Sequence, residues 1–133
     1  CIRHPGGKQG FMAHIGIKEP YYVITPNNCN ELTFLILDGT DLSVKGYPPS
    51  SHNFQKAEKW LQAHSSIYTH ALDWNAGIDT PQIEWLTAQL DEAQRNQKRV
   101  VIFCHFPLFV EAASNVRYVV GLVIMKVPNI SPL

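Results

Sequence analysis

The sequence predicts an α/β domain, and three stretches carry that expectation. LTFLILDGT (32–40) and RVVIFC (99–104) are apolar runs of strand length. Between them, TPQIEWLTAQLDEAQR shows helical spacing and leads straight into the second run. A helix feeding a buried apolar strand is the pattern of a parallel crossover, which is normally right-handed.

The elements follow in order. Pro5, Gly6, Gly7 and Gly10 mark an opening loop. FMAHIGI gives a helical turn or two that stops near Gly16. YYVIT (21–25) reads as a strand from its aromatic and β-branched content. PNNCNE is a turn, so 21–25 and 32–40 are expected to pair as a hairpin. The run 32–40 is almost continuously apolar and is expected to be buried on both faces. GYPPSS (46–51) is loop. From Asn53, Phe54, Ala57 and Leu61 with Trp60 beside them give helical spacing to about His64. Thr80 and Pro81 open a clearer helix, because threonine caps free amides and proline is tolerated at the first helical position. Ile83, Leu86, Leu90 and Ala93 define its inner face; Glu84, Asp91, Glu92 and Arg95 define its outer face. NVRYVVGLVIMKV near the end has strand composition without visible chemistry.

At 133 residues the chain has room for one domain, and 45% apolar against 17% charged residues allows a real core. Eleven basic and eleven acidic side chains cancel, so no nucleic-acid or anionic-membrane partner is expected. Three cysteines at unrelated spacings form neither a disulfide framework nor a metal knuckle, and suit a reducing compartment. The run YVVGLVIM is far short of the ~20 residues a membrane span needs. A cytoplasmic protein is expected. The chain starts on Cys1 and reads as a piece of something longer.

RVVIFC runs directly into His105, Phe106 and Pro107. Ligand sites of open α/β sheets gather at the carboxyl ends of strands, and imidazole is a common ligand for transition metals. His105 is therefore either a metal ligand or a strand-exit histidine hydrogen-bonded to the backbone. Cys104 beside it points to the opposite face and cannot serve as its nucleophile. Asp38 and Asp41 in LDGTDLS lie at the other strand exit. Paired carboxylates can bind a metal, but turn-making and capping is the plainer reading. In WNAGID (74–79), Asn75 and Gly77 stand just before a helix, where a loop can offer amides to a phosphate.

The order of these pieces resembles the calcineurin-like metallophosphoesterases. The stretches GIKEPYYVITPNNCNELTFLILDGTDLSVKGYP and WNAGIDTPQIEWLTAQLDEAQRNQKRVVIFCHFPLF carry the likeness, over about residues 10 to 114. Within that family they are most similar to the manganese-dependent ADP-ribose/CDP-alcohol diphosphatases, with a similar LDG-x-D-x-S strand exit, G-x-x-x-x-Q-x-x-WL helix start and His-x-Pro strand end. The resemblance implies part of a β-sandwich flanked by helices: one incomplete domain over 1–133, with 115–133 a tail unlike the family. It implies hydrolysis of a nucleotide diphosphate-linked substrate at a dinuclear site holding manganese, or else iron or zinc. Family ligands come from D-x-H, G-D-x-x-D, G-N-H, a lone histidine at a strand end and G-H-x-H. His105 matches the lone histidine. The other motifs are absent, although CIRH is similar to residues that follow G-N-H in some relatives.

Two cations about 3.5–4 Å apart need several carboxylates and histidines to clamp them, so one imidazole predicts an inactive isolated chain. Asn75 and Gly77 become candidate substrate contacts, and an incomplete sheet predicts self-association through exposed edges. The alternative is a non-catalytic α/β binding or interaction module in which His105 is structural.

Overall fold

A computed structural model describes residues 6–65, 76–106 and 121–125 of the chain. Asn75 and most of the tail (115–120 and 126–133) lie outside the described residues. The chain divides into two compact units, Cys1–Pro20 with Asp38–Asp79 and Tyr21–Leu37 with Thr80–Leu133.

The second unit is built on a mixed sheet. Its strands are β1 (Tyr22–Ile24), β2 (Leu32–Ile36), β3 (Arg99–Cys104) and β4 (Gly121–Met125), ordered β1-β2-β3-β4. β1 and β2 form the expected antiparallel hairpin, with Val23 opposite Leu35. β2 and β3 are parallel, with Thr33 opposite Val100 and Leu35 opposite Ile102. β4 adds antiparallel to the other side of β3. The strand-rich composition before Met125 therefore has a place in the sheet.

One face of this sheet is the core. Val100 and Ile102 are fully buried, with Cys104, Thr33 and Leu35 beside them. The expectation that β2 is buried on both faces is corrected: Leu32, Phe34 and Ile36 are only half-buried. The reason is that a single face is fully covered. On the other, Phe34 and Phe103 meet edge-to-face at 5.8 Å, and Phe103 remains 38% exposed. The aromatic pair substitutes partly for a covering layer.

Helix α3 (Thr80–Arg95) packs on β3. It begins at the Thr-Pro pair, as the sequence predicts. Its inner stripe, however, runs Gln82, Trp85–Leu86, Gln89–Leu90, Ala93, and Ile83 is 50% exposed. Of the expected inner face, Leu86, Leu90 and Ala93 keep their place, and Ile83 is corrected, with Gln82 buried in its stead. Trp85 sits against Tyr21, ring centroids 4.9 Å apart, so the buried stripe includes position 85 beside position 82. The helix ends in a Schellman pattern: Lys98 N–H bonds to Ala93 O at 2.8 Å, and Gln97 N–H to Gln94 O at 3.0 Å. Gln97 takes the left-handed conformation there, φ 54°.

The first unit holds α1 (Gly7–His14) and α2 (His52–Ser65). The expected opening loop is corrected, since Gly7 and Gly10 belong to the helix. Gly7 is required where it stands. Its φ is +62°, and a Cβ would lie 2.8 Å from Pro48 Cδ. Glycine here serves a close approach to the 46–48 loop, sealed by Lys8 N–H to Gly46 O at 2.8 Å. The helix ends where expected, in another Schellman pattern with Gly16 at φ 77°. α2 starts one residue earlier than its apolar spacing, because Ser51 Oγ accepts the Phe54 amide at 3.2 Å and so caps it. Ala57 is its buried residue.

Candidate functional site

His105 follows β3 directly, at the carboxyl end of the parallel strand pair. Three features of the sequence bring it there. The apolar run gives β3 its core face, the strand period separates His105 from Cys104, and Pro107 follows. Its side chain is exposed and packs edge-on against Phe106, with centroids 5.0 Å apart. Cys104, on the core side, is 3% exposed.

In the first unit, the LDGTD turn is a closed network. Asp38 is 8% exposed. Its Oδ1 accepts from the Thr40 amide at 3.0 Å and the Thr40 hydroxyl at 2.7 Å. Its Oδ2 is ion-paired with Lys8. The Lys8 ammonium also donates to Thr40 O at 3.3 Å and stands 4.5 Å from the centre of the Tyr47 ring. Tyr47 in turn donates its hydroxyl to Asp41 O at 3.1 Å. Burial alone would lower the Lys8 pKa, but hydrogen bonds and attraction from Asp38 and Tyr47 outweigh it and raise the value. Tyr47 is pushed up by burial, with the Lys8 hydrogen bond and charge pulling the other way.

Asp41 Oδ2 accepts the Asp79 amide at 3.1 Å, so it ties the turn to the loop before α3. The turn-and-cap reading of Asp38 and Asp41 is the one their geometry displays. Gly77 belongs to the same tie. Its N–H donates to Leu42 O at 3.0 Å and its carbonyl accepts from Leu42 N–H at 2.8 Å. A Cβ on Gly77 would lie 3.0 Å from the Trp60 ring. Its amide is thus engaged, and a phosphate contact at Gly77 requires that pair to open.

Lys8 and Tyr47 are absent from the sequence-based candidates. Lys8 stands in GGKQG, which reads as loop, and its partner is thirty residues away. The only sequence signal is a lone cation upstream of an acidic turn, which carries no spacing rule.

The donor set decides how far a metal centre can be read here. Among the described residues, no group of three or more histidines, cysteines, aspartates or glutamates could hold a metal ion. Both Asp38 oxygens are engaged, and Asp41 serves a backbone amide. The described residues alone do not fit a dinuclear centre, which needs several ligands per ion. Among the described residues, also, no helix is long and apolar enough to cross a membrane.

Comparison with known proteins places this geometry. No family model matches the chain. The manganese-dependent ADP-ribose/CDP-alcohol diphosphatase of Bos taurus is 32% identical over 108 residues, covering 74% of this chain and 32% of its own length. The Mus musculus and Homo sapiens proteins of that name are 31% and 30% identical with the same coverage. The chain therefore spans about a third of the length of these relatives. Among solved structures, a dimetal phosphatase from Danio rerio matches with a TM-score of 0.59 and 26% identity, over 67% of this chain and 32% of that one. Sequence relatives and fold neighbour agree: the chain is similar to one stretch of the manganese-dependent ADP-ribose/CDP-alcohol diphosphatases and to a dimetal phosphatase, in keeping with a fragment of a calcineurin-like metallophosphoesterase.

Proposed function

We propose that this chain contributes the central part of a metal-dependent hydrolase that cleaves a nucleotide diphosphate-linked substrate of the ADP-ribose or CDP-alcohol type. The observation that carries the reading is His105, an exposed imidazole at the carboxyl end of β3. In that role its ring nitrogen holds a divalent cation, manganese in the first instance and iron or zinc otherwise. In the complete protein His105 would be one ligand among several, and a cation held there would supply Lewis-acid polarisation of a phosphoryl oxygen and activation of a water. The chain by itself has too few ligands to assemble the pair, and so is inactive alone. Gly77 acts by packing on Trp60, and any phosphate contact at the 75–77 loop comes after the Leu42 pair opens. We take the reaction to be cytoplasmic, in keeping with three cysteines that form no disulfide framework, and expect no nucleic acid or membrane as partner, in keeping with a formal charge of zero.

The test uses a chimera in which this chain replaces the segment it matches in the Homo sapiens relative. Manganese-dependent release of AMP from ADP-ribose is expected from the chimera and not from the 133-residue chain. A chimera that folds, by circular dichroism, and releases no AMP from ADP-ribose or CMP from a CDP-alcohol contradicts the proposal. One observation favours a second reading, a non-catalytic module: His105 has an ordinary aromatic packing partner in Phe106. That reading predicts the inert chimera.

A further inference from the structure

The first unit contains a cleft of about 520 Å³ beside α1, within the size range of small-molecule sites. Its lining residues all belong to that unit. Met12, Ala13, Ile17 and Pro20 form an aliphatic wall. Ile17 is 38% exposed, a large apolar side chain left open to water. Gly16 keeps the rim clear, since nothing lies within 4 Å of where its Cβ would be.

The polar groups of the cleft are unequal, and the difference selects a ligand. The Lys8 ammonium is ion-paired with Asp38, and the Tyr47 hydroxyl donates to Asp41 O. Among the described residues Tyr47 is the one aromatic group of the lining. One face of its ring already carries the Lys8 ammonium, 4.5 Å from the centroid. The wall therefore suits an aliphatic chain better than a planar ring, and the unbranched Met12 side chain adapts to such a chain. Lys18 is exposed and enters no ion pair among the described residues; Glu19, next in the chain, does not line the cleft. A single free ammonium matches a carboxylate in charge, whereas a phosphate ester carries about −1.5 to −2 charges near neutral pH.

We infer that this cleft binds an unbranched aliphatic monocarboxylate of medium chain length, its carboxylate at Lys18 and its chain along Met12, Ala13, Ile17 and Pro20. Binding covers the exposed Ile17 and neutralises Lys18. The main driving term is apolar area, so affinity rises with chain length, by about fourfold for each CH₂ laid on the wall. The site requires nothing from the second unit and is independent of the hydrolysis proposed above.

The test is an amide NMR titration of the 133-residue chain with octanoate and hexanoate, and with octylamine as the ligand of reversed charge. Octanoate is expected to give saturable shifts at Met12, Ala13, Ile17 and Lys18. Hexanoate should bind about fifteenfold more weakly, having lost two CH₂ groups. Octylamine should bind at least about tenfold more weakly than octanoate, because it forfeits the charge-assisted bond to Lys18. Lys18→Glu should invert that preference, and Ile17→Asn should weaken octanoate by about tenfold. Both positions are exposed, so spectral dispersion elsewhere is kept. Absence of saturable octanoate shifts overturns the inference. So does equal affinity for octanoate and octylamine, or for octanoate and hexanoate. Shifts of the same size at Tyr22, Val23 and Ile24, an exposed apolar edge in the second unit, would overturn it too, as they would mark unselective adsorption.

Discussion

Lys8 holds three groups of the first unit together, and its removal takes one cation away from a carboxylate only 8% exposed. Breaking such a pair from one side is expensive, so Lys8→Met should destabilise by about 3–5 kcal/mol near neutral pH in denaturant titration. The sign of the pH dependence follows from the raised Lys8 pKa. A group whose folded pKa is raised gives stability that is complete below its unfolded value, about 10.4, and lost as pH climbs through the folded value. The gap between wild type and Lys8→Met should therefore be constant to about pH 10 and shrink above it. Tyr47, also raised, loses its contribution in the same direction. A gap that already shrinks as pH rises from 7 to 9 would mean that Lys8 is not the titrating group.

Gln97 offers the opposite case, a residue whose replacement should help. It occupies the left-handed position at the end of α3, the position that Gly16 fills at the end of α1. A side chain is strained there and glycine is not. Gln97→Gly should raise stability by about 0.5–1 kcal/mol, read as a shift in denaturation midpoint at unchanged slope. No gain would mean that the Lys98–Ala93 hydrogen bond sets the geometry at no strain.

At the scale of elements, what was legible in the sequence depended on punctuation. β3 was legible to the residue because Arg99 and the His-Phe-Pro sequence bound an unbroken apolar run. α3 was legible at its start because Thr80 and Pro81 fit only there. The exposure of Ile83 was not, since the pattern of aliphatics favours Ile83 over Gln82, whereas the buried stripe includes Gln82 and Trp85, the latter against Tyr21. α1 was misread because glycines usually mark loops, and the Pro48 approach that demands Gly7 is made from 41 residues away. Of the candidate site, the position of His105 at a strand exit was legible. The Lys8–Asp38–Tyr47 network was not, because it joins distant segments by single side chains. A mutational pair tests the corrected core. Ile102→Ala, at 0% exposure, should cost about 2–5 kcal/mol, whereas Ile83→Ala should stay within about 0.5 kcal/mol. Equal losses would restore the face the sequence predicts.

At the scale of the whole chain, no net charge opposes association, and the isoelectric point is near 7.2. Tyr22, Val23 and Ile24 are all exposed on the edge strand β1, which presents backbone groups for pairing. Concentration-dependent self-association is expected near neutral pH, and Val23→Lys should reduce it in light scattering by charging that edge. Association unchanged by Val23→Lys would place the contact elsewhere.

The central claim is that β3 ends on a histidine because the histidine holds a metal. The direct measurement is manganese content together with kcat for AMP release, made on the chimera with and without His105→Ala. Loss of a ligand should lower the bound manganese and cut turnover by more than about 100-fold, the upper range for losing a merely supporting partner. Full manganese content with undiminished turnover in His105→Ala would contradict the account and leave His105 a packing partner of Phe106.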